Sequence, residues 1–263
     1  MDGRRLKLHL TGINNQNFIL RDEETGSWWQ QATGEAFFGP LRGRRLRPVF
    51  ADEVSFAVWR REHPEGRVLQ PAADPAWERW SADWEAKTAR MPLVQEAAAA
   101  GGAPVAGVTG SAVAGAAAGT PGAGPGLAPR SVVLGLTRGG IDRAYPLDVL
   151  RHYGAVLDDL GGTPVVILVG EDGSSLRAFE STLDGRRVPF FVKLAAAAGT
   201  SPRRWIDGAA GGEWDFQGRA LTGPWRGRQL RPVPAMKDYW FDWRRFHPRT
   251  SVYLGGGSGR GGD

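Results

Sequence analysis

Two histidines are the residues best suited to chemistry. His63 and His247 end the matching segments WRREHP and WRRFHP, so one imidazole occupies the same motif position twice. Imidazoles bind metals and exchange protons near neutral pH, and two of them facing one cleft can share a metal ion or act as acid and base. The alternative is structural, because His-Pro ends a helix and the ring then caps its last carbonyls or packs on the preceding tryptophan. No His-x-x-x-His pair stands nearby, which favours the structural alternative.

Carboxylates form a second candidate. Asp22 and Glu35 flank Trp29, and a carboxylate pair at the required separation performs glycosidase-type acid-base chemistry. The second copy offers Asp207 and Asp215 around Trp214 but has Arg219 at the position of Glu35, so the two copies differ at this candidate site. The favoured alternative is that these acids accept hydrogen bonds from turn amides and pair with neighbouring arginines.

Aromatic, amide and arginine side chains are the candidates for ligand binding. Trp29, with Gln31 close by, and Trp214 can offer stacking surfaces for sugars or bases. Arg44 and Arg228 lie in two basic turns that suit a phosphate or an acidic polymer. The favoured alternatives are core packing for the tryptophans and solvated turns with local ion pairs for the arginines.

The absence of cysteine excludes several kinds of site. Disulfides, thiolate nucleophiles, zinc-thiolate sites and iron–sulfur clusters all require it. The glycines near Arg138 lack the lysine and hydroxyl residue of a phosphate loop, so they predict no nucleotide site. We therefore predict no metal site and no cofactor.

An internal duplication must position these candidates. GPLRGRRLRPV at 39–49 returns as GPWRGRQLRPV at 223–233, and the offset of 184 continues through both WRRxHP segments. The motif around Trp29 matches that around Trp214 with one residue deleted. Two copies favour a pseudo-two-fold pair, because a solenoid needs at least three repeats. The fold class predicted is α+β, mainly β, with two related small β-meander modules, each closed by a short helix.

Periodicity gives the elements of each copy. Alternating leucines at 6, 8 and 10 predict a strand, and helical spacing predicts helices over 52–62 and 237–246, with Asp52 as the first cap. The residues 132–147 predict a hairpin leading into a helix at 147–153, and 164–180 predict a second hairpin.

The chain divides into five predicted segments. The first repeat module spans 1–70, an amphipathic tryptophan-rich helix lies within 71–92, and an Ala/Gly/Pro linker fills 93–130. The second, fuller module spans 131–254, and a glycine-rich tail follows at 255–263. The first module lacks the upstream strands of the second, which predicts association through its exposed sheet edge.

Composition limits the partners and the location. The net charge of +5 comes mostly from arginines scattered among 28 acidic residues, which fits codon bias better than a nucleic-acid footprint, so nucleic acid is not favoured. No apolar run is long enough to span a bilayer, and the N-terminus carries no export signal, so we expect a soluble protein.

Three segments resemble a known family. TGSWWQQATGEAFFGPLRGRRLRPV at 25–49, the WRREHP helix end, and DRAYPLDVLRHYGAVLDDLGGTPVVIL at 142–168 resemble the bacterial and archaeal family called domain of unknown function 3179. The resemblance implies an extracytoplasmic protein with no assigned activity. Similar proteins carry a Cys-Pro-Leu-Cys-Gly stretch before the first DGR, and because this chain starts at that DGR, no thiol, metal or redox role is carried over.

The sequence does not determine a function. It favours a non-catalytic binding or assembly module with an unknown ligand or protein partner. The alternative is a hydrolase or metal-dependent enzyme with a site at the interface of the two repeats.

Overall fold

The computed structural model describes residues 5–14, 17–47, 49, 51–70, 73–90, 126–193 and 203–255. These residues belong to two compact units, one of 1–49 with 67–120 and one of 50–66 with 121–263. Both units are rich in β-structure, as predicted, with several small sheets and short helices. Most of the predicted linker, 93–125, and the predicted tail from 256 lie outside the described residues. No described helix has both the length and the apolar character needed to cross a bilayer.

A four-stranded antiparallel sheet forms the body of the first unit. Its strands pair in chain order: β1 (Leu8–Asn14), β2 (Asn17–Asp22), β3 (Trp28–Gln30) and β4 (Ala36–Phe38). Trp29 and Ala36 are fully buried and sit opposite each other in the β3–β4 pair. Leu10 on β1 is 57% exposed, and β1 pairs on one side only within the described chain.

Three short helices follow: α1 (Phe56–Glu62), α2 (Pro75–Ser81) and α3 (Trp84–Arg90). The predicted start of α1 at Asp52 is wrong, because Ser55 caps the helix and Asp52 instead pairs with Arg177. The continuous helix expected at 75–90 is interrupted at Asp83, whose φ of 60° is left-handed and incompatible with an α-helix. Helix α1 belongs to the second unit, where Val58 joins a buried cluster.

The second unit is built from twelve described strands and, besides α1, two helices. In chain order these are β5 (Val132–Arg138), β6 (Ile141–Pro146), α4 (Leu147–Tyr153), β7 (Ala155–Leu160), β8 (Thr163–Val169), β9 (Leu176–Glu180), β10 (Thr182–Leu183), β11 (Arg186–Arg187), β12 (Phe190–Lys193), β13 (Arg204–Asp207), β14 (Glu213–Trp214), β15 (Ala235–Tyr239), α5 (Trp240–Phe246) and β16 (Ser251–Val252). The two hairpins and the helix at 147–153 agree with the sequence prediction. The helix predicted from 237 is wrong at its start, because 235–239 pairs with β5 as a strand and α5 begins at Trp240.

The sheet β7–β8–β9 separates two hydrophobic cores of the second unit. Val165, Ile167 and Val169 of β8 enter one core with residues of β5, β6 and α4. Val166 and Leu168 enter the other core with Val58 and the aromatic residues of β12 to β14. Alternate side chains of a strand point to opposite faces, so β8, which is buried on both faces, is almost continuously apolar.

Both units contain the same turn after the buried tryptophan. Three backbone hydrogen bonds of the first unit have counterparts in the second, and all six are 2.7–2.9 Å long. In the first unit they run from Ala36 N to Arg44 O, from Gly43 N to Ala36 O and from Leu46 N to Gly34 O. Their counterparts run from Ala220 N to Arg228 O, from Gly227 N to Ala220 O and from Leu230 N to Gly218 O. Gly43 and Gly227 have φ of 82° and 83°, a left-handed conformation that favours glycine. The two GPxRGRxLRPV segments therefore have matching backbone hydrogen bonds.

Candidate ligand site

The two candidate histidines end helices in the same way but differ in their surroundings. His63 ends α1 with φ −127° and ψ 67°, and His247 ends α5 with φ −126° and ψ 65°. His247 stacks on Trp243 at a centroid distance of 3.7 Å, and its Nδ1 lies 3.1 Å from Asp142 Oδ1. His63 is exposed and lies tilted at 5.6 Å from the ring of the half-buried Trp59. No hydrogen bond or ion pair joins the two histidines within the described chain.

The candidate carboxylates of the first unit occupy different environments. Asp22 is fully buried, and its carboxylate accepts hydrogen bonds from the Trp29 Nε1 at 2.7 Å and from the Thr25 amide at 2.6 Å. Burial alone would raise the pKa of Asp22, but these hydrogen bonds outweigh it and hold the pKa below the usual value. Glu35 instead lies near the surface and pairs with Arg45 at 3.2 Å.

The binding candidates around the tryptophans also have structural partners. Trp29 and Trp214 are fully buried, and Trp214 Nε1 donates to Asp207 at 3.0 Å as Trp29 donates to Asp22. Their enclosed rings agree with the core-packing alternative. Gln31 is exposed, and its side-chain oxygen accepts a hydrogen bond from the Phe18 amide at 2.9 Å.

The two arginine turns lie on the surface. Arg228 pairs with Asp184 at 2.7 Å, and both side chains are more than half exposed. Arg44 is exposed in the equivalent turn of the first unit. The structure thus brings Asp22 and Trp29 into contact, while each of the other candidates has its own local environment.

A cavity in the second unit is the feature that sequence reasoning missed. Its volume is ≈ 310 Å³. The lining comes from four places: Arg61 and Glu62 at the end of α1, Gly170 and Glu171 after β8, residues 203–205 at the start of β13, and residues 215–217 after β14. These segments are separated by up to about 150 residues of chain, so no local motif announces the cavity.

Arg177 on β9 fixes one wall of this cavity. Its side chain is only 7% exposed, its Nε donates to Asp52 at 2.7 Å, and its two terminal nitrogens donate to the two carboxylate oxygens of Glu62 at 2.8 Å. The guanidinium also lies 4.6 Å from the centroid of the Phe216 ring, within cation–π range. Burial would raise the pKa of Glu62, but the hydrogen bonds and charge of Arg177 prevail and lower it.

A tight turn after β8 fixes a second part of the cavity wall. Asp172 accepts hydrogen bonds from the backbone amides of Ser174 and Ser175, and the Ser175 hydroxyl donates to its other oxygen at 2.6 Å. Ser175 in turn accepts from the Ser55 amide at the start of α1. Although burial opposes it, these hydrogen bonds lower the pKa of Asp172 well below its usual range. Glu171, which directly precedes Asp172 in this turn, forms an ion pair with Arg61 at the cavity wall.

Three further charged residues line the cavity. Arg203 donates to the carbonyl oxygens of Val169 at 3.0 Å and Gly170 at 3.4 Å. Asp215 accepts a hydrogen bond from the Arg219 amide at 2.9 Å. Arg204 is half-buried, and although its backbone pairs with Lys193 in the β12–β13 sheet, its side chain has no hydrogen bond or ion pair with any described residue. The walls are therefore fixed by internal pairs, while Arg203, Arg204 and Asp215 form no ion pair with a described residue.

A carboxyl pair of one buried and one half-buried residue lies elsewhere in the second unit. Asp238, at the end of β15, and Asp242, in the first turn of α5, are joined by a side-chain hydrogen bond. Burial, and then the Asp242 charge, raise the pKa of Asp238 to about 7. Within the described residues, no group of three or more His, Cys, Asp or Glu side chains is placed to hold a metal ion.

Comparison with known proteins gives one match. The family model described as "Protein of unknown function (DUF3179)" matches residues 1–250. No curated protein matches the chain, and no solved structure matches it.

Proposed function

The chain belongs to the DUF3179 family of proteins of unknown function, as its motifs indicated, and we propose that it is a non-catalytic binding module. The ligand site is the cavity bounded by α1, the 170–175 turn, and the residues beside β13 and β14. The observation that carries the proposal is this preformed cavity, whose walls are fixed by buried pairs before any ligand arrives. Ligand pockets of proteins are commonly preformed in this way.

The rigidity of the walls supports binding. Arg177 satisfies both oxygens of Glu62, and Asp172 holds the turn that carries Glu171. A ligand entering such a site meets side chains that are already oriented, which lowers the entropy cost of association.

The second part of the proposal is that the protein consists of two related modules. The matched turns support it, as do the two Trp–Asp hydrogen bonds and the nearly identical backbone angles at His63 and His247. In this arrangement the cavity lies in the second structural unit, and the first repeat contributes Arg61 and Glu62 of α1 to its lining.

One observation favours the alternative of an enzyme. Asp142 Oδ1 lies 3.1 Å from Nδ1 of His247, an arrangement that orients an imidazole, as in hydrolases. His63 has no such acid partner among the described residues, so the alternative depends on His247 alone. A hydrolase whose rate falls at least about a hundredfold on His247→Ala, with His63→Ala unchanged, would establish it.

The binding proposal is tested by blocking the cavity. A panel of small anionic, neutral and cationic compounds is screened by thermal denaturation against the wild-type chain, Gln217→Trp and Arg219→Trp. Gln217 lines the cavity, whereas Arg219 lies exposed in the same turn and gives a matched control. Binding lost in Gln217→Trp and retained in Arg219→Trp supports the site. Equal binding to all three proteins excludes it.

A further inference from the structure

We propose that the cavity takes a small ligand bearing an oxyanion, either a carboxylate or a phosphate, and that Arg204 binds that group. The inference rests on the proposed binding function and adds the chemical class of the ligand. It is based on which charges around the cavity already have partners.

Most of the charged side chains around the cavity neutralise one another. Arg61 pairs with Glu171, and Glu62 receives two hydrogen bonds from the buried Arg177. These residues shape the walls and have little charge left for a ligand.

Three lining charges have no ion pair among the described residues: Arg203, Arg204 and Asp215. Arg203 is partly occupied by two backbone carbonyls, and Asp215 by a backbone amide. Of the three, only the Arg204 side chain has no polar contact with a described residue. The six charged residues of the lining, three arginines and three acids, carry no net charge together, so the preference for an anion depends on the unpaired guanidinium of Arg204.

A half-buried guanidinium retains its charge, because arginine is not deprotonated in proteins. Partial removal from water is unfavourable unless a partner replaces the lost hydration. The planar fork of N–H donors matches the two oxygens of a carboxylate or phosphate, and such charge-assisted bonds are the strong ones. Arg204 is therefore suited to bind an oxyanion that enters the cavity.

The cavity also limits the size and shape of the ligand. Its ≈ 310 Å³ lies at the lower end of the range of about 300–1,000 Å³ for ligand pockets. Trp205 is fully buried, and Arg177 covers one face of Phe216, so neither ring offers an open stacking surface. Recognition consequently depends on charge, and the ligand is a compact acid rather than a flat aromatic molecule.

The test is isothermal titration of the full chain with succinate, inorganic phosphate and succinamide, a neutral analogue of succinate. We expect succinate or phosphate to bind and succinamide not to bind, and the tighter of the two anions identifies the oxyanion. Arg204→Gln is expected to weaken the anion by about tenfold or more, as loss of a charge-assisted hydrogen bond does. The control Arg219→Gln, two residues beyond Gln217 and outside the lining, is expected to leave the affinity unchanged.

Asp215→Asn gives a prediction of opposite sign. Asparagine keeps the oxygen that accepts the Arg219 amide but removes a negative charge from the lining, so the anion is expected to bind several-fold more tightly. Weaker binding in this variant indicates that Asp215 holds a cationic group of a zwitterion, which contradicts a simple acid.

The failures of the two proposals are distinguishable. Succinamide binding as tightly as succinate, or Arg204→Gln binding like wild type, overturns the oxyanion inference while the cavity remains a binding site. Absence of binding by either anion at millimolar concentration also overturns it. If, in addition, no compound of the neutral and cationic panel binds in the cavity, the proposed function fails as well.

Discussion

Replacing Arg177 by methionine tests a buried arginine that binds two carboxylates in the second unit. Methionine keeps much of the volume but removes the charge and the hydrogen bonds to Asp52 and Glu62. Because the Glu62 side chain is only 10% exposed, it is left as an unpaired buried charge. Removing one partner of a buried ion pair lowers the free energy of unfolding by about 3–5 kcal/mol. This is a large part of the roughly 5–15 kcal/mol by which a typical domain is stable. We therefore expect Arg177→Met to lower the free energy of unfolding by about 3 kcal/mol or more.

Urea unfolding at pH 7 measures this loss, with Arg228→Met as the matched control. Arg228 and Asp184 form an exposed pair, which contributes less than about 1 kcal/mol. The double variant Arg177→Met/Glu62→Gln is expected to recover part of the loss, because it removes the stranded charge. An equal and small effect of the two single variants would refute the reasoning.

The same variant has a predicted pH dependence. In the wild type, the lowered pKa of Glu62 gives stability that is present above its ordinary value of 4.5 and is lost as pH falls through the folded value. Without Arg177, burial raises that pKa, and acidification then neutralises the buried carboxylate. The stability gap between wild type and Arg177→Met should narrow from pH 7 to pH 5, and a constant gap contradicts this account.

Three further changes test separate features. Asp22→Ala and Asp207→Ala each remove the acceptor of a buried indole N–H. Each should lower the free energy of unfolding, measured by chemical denaturation, by about 2 kcal/mol. Clearly unequal losses would count against two related modules. Asp238, with its pKa raised from 3.8 to about 7, should contribute stability at low pH that is lost between about pH 4 and pH 7. Asp238→Asn should flatten that part of a stability–pH profile, and an unaltered profile contradicts the assignment. A Cβ at Gly135 would lie 2.2 Å from the Trp243 ring. Gly135→Ala should therefore lower the melting temperature by several degrees. An unchanged melting temperature would show that the ring can move.

Local pattern predicted much of the β-structure. The hairpin of β5 and β6, the helix α4, and the hairpin of β8 and β9 all follow from apolar runs broken by glycine-containing turns. The start of α5 was misplaced because Lys237 to Tyr239 have helical spacing, yet their backbone pairs with β5. Tertiary pairing there overrides local propensity.

The start of α1 was misplaced for a related reason. Asp52 is a good N-cap residue in isolation, but its carboxylate pairs with Arg177, more than a hundred residues away. Ser55 caps the helix instead. No property of the 52–62 segment alone reveals this long-range partner.

The candidate site was less predictable than the fold. Repetition drew attention to His63, His247 and the tryptophans, and repeated residues are also those that maintain a repeated fold. The cavity residues Arg61, Glu171 and Arg204 belong to segments far apart in the chain. Arg61 lies in the repeated WRR motif, and Glu171 lies in a turn that was predicted, but neither signal indicates a cavity.

The most direct measurement of the central claim is a two-dimensional ¹H–¹⁵N spectrum of the tryptophan indoles during titration with succinate, phosphate and neutral analogues. Trp205 lines the cavity and donates weakly to the Gly154 carbonyl, whereas Trp29 is buried in the first unit and serves as an internal reference. The account predicts a saturable shift of the Trp205 cross-peak with an anion while the Trp29 cross-peak stays in place. A spectrum in which Trp205 never responds to any compound that binds the protein contradicts it.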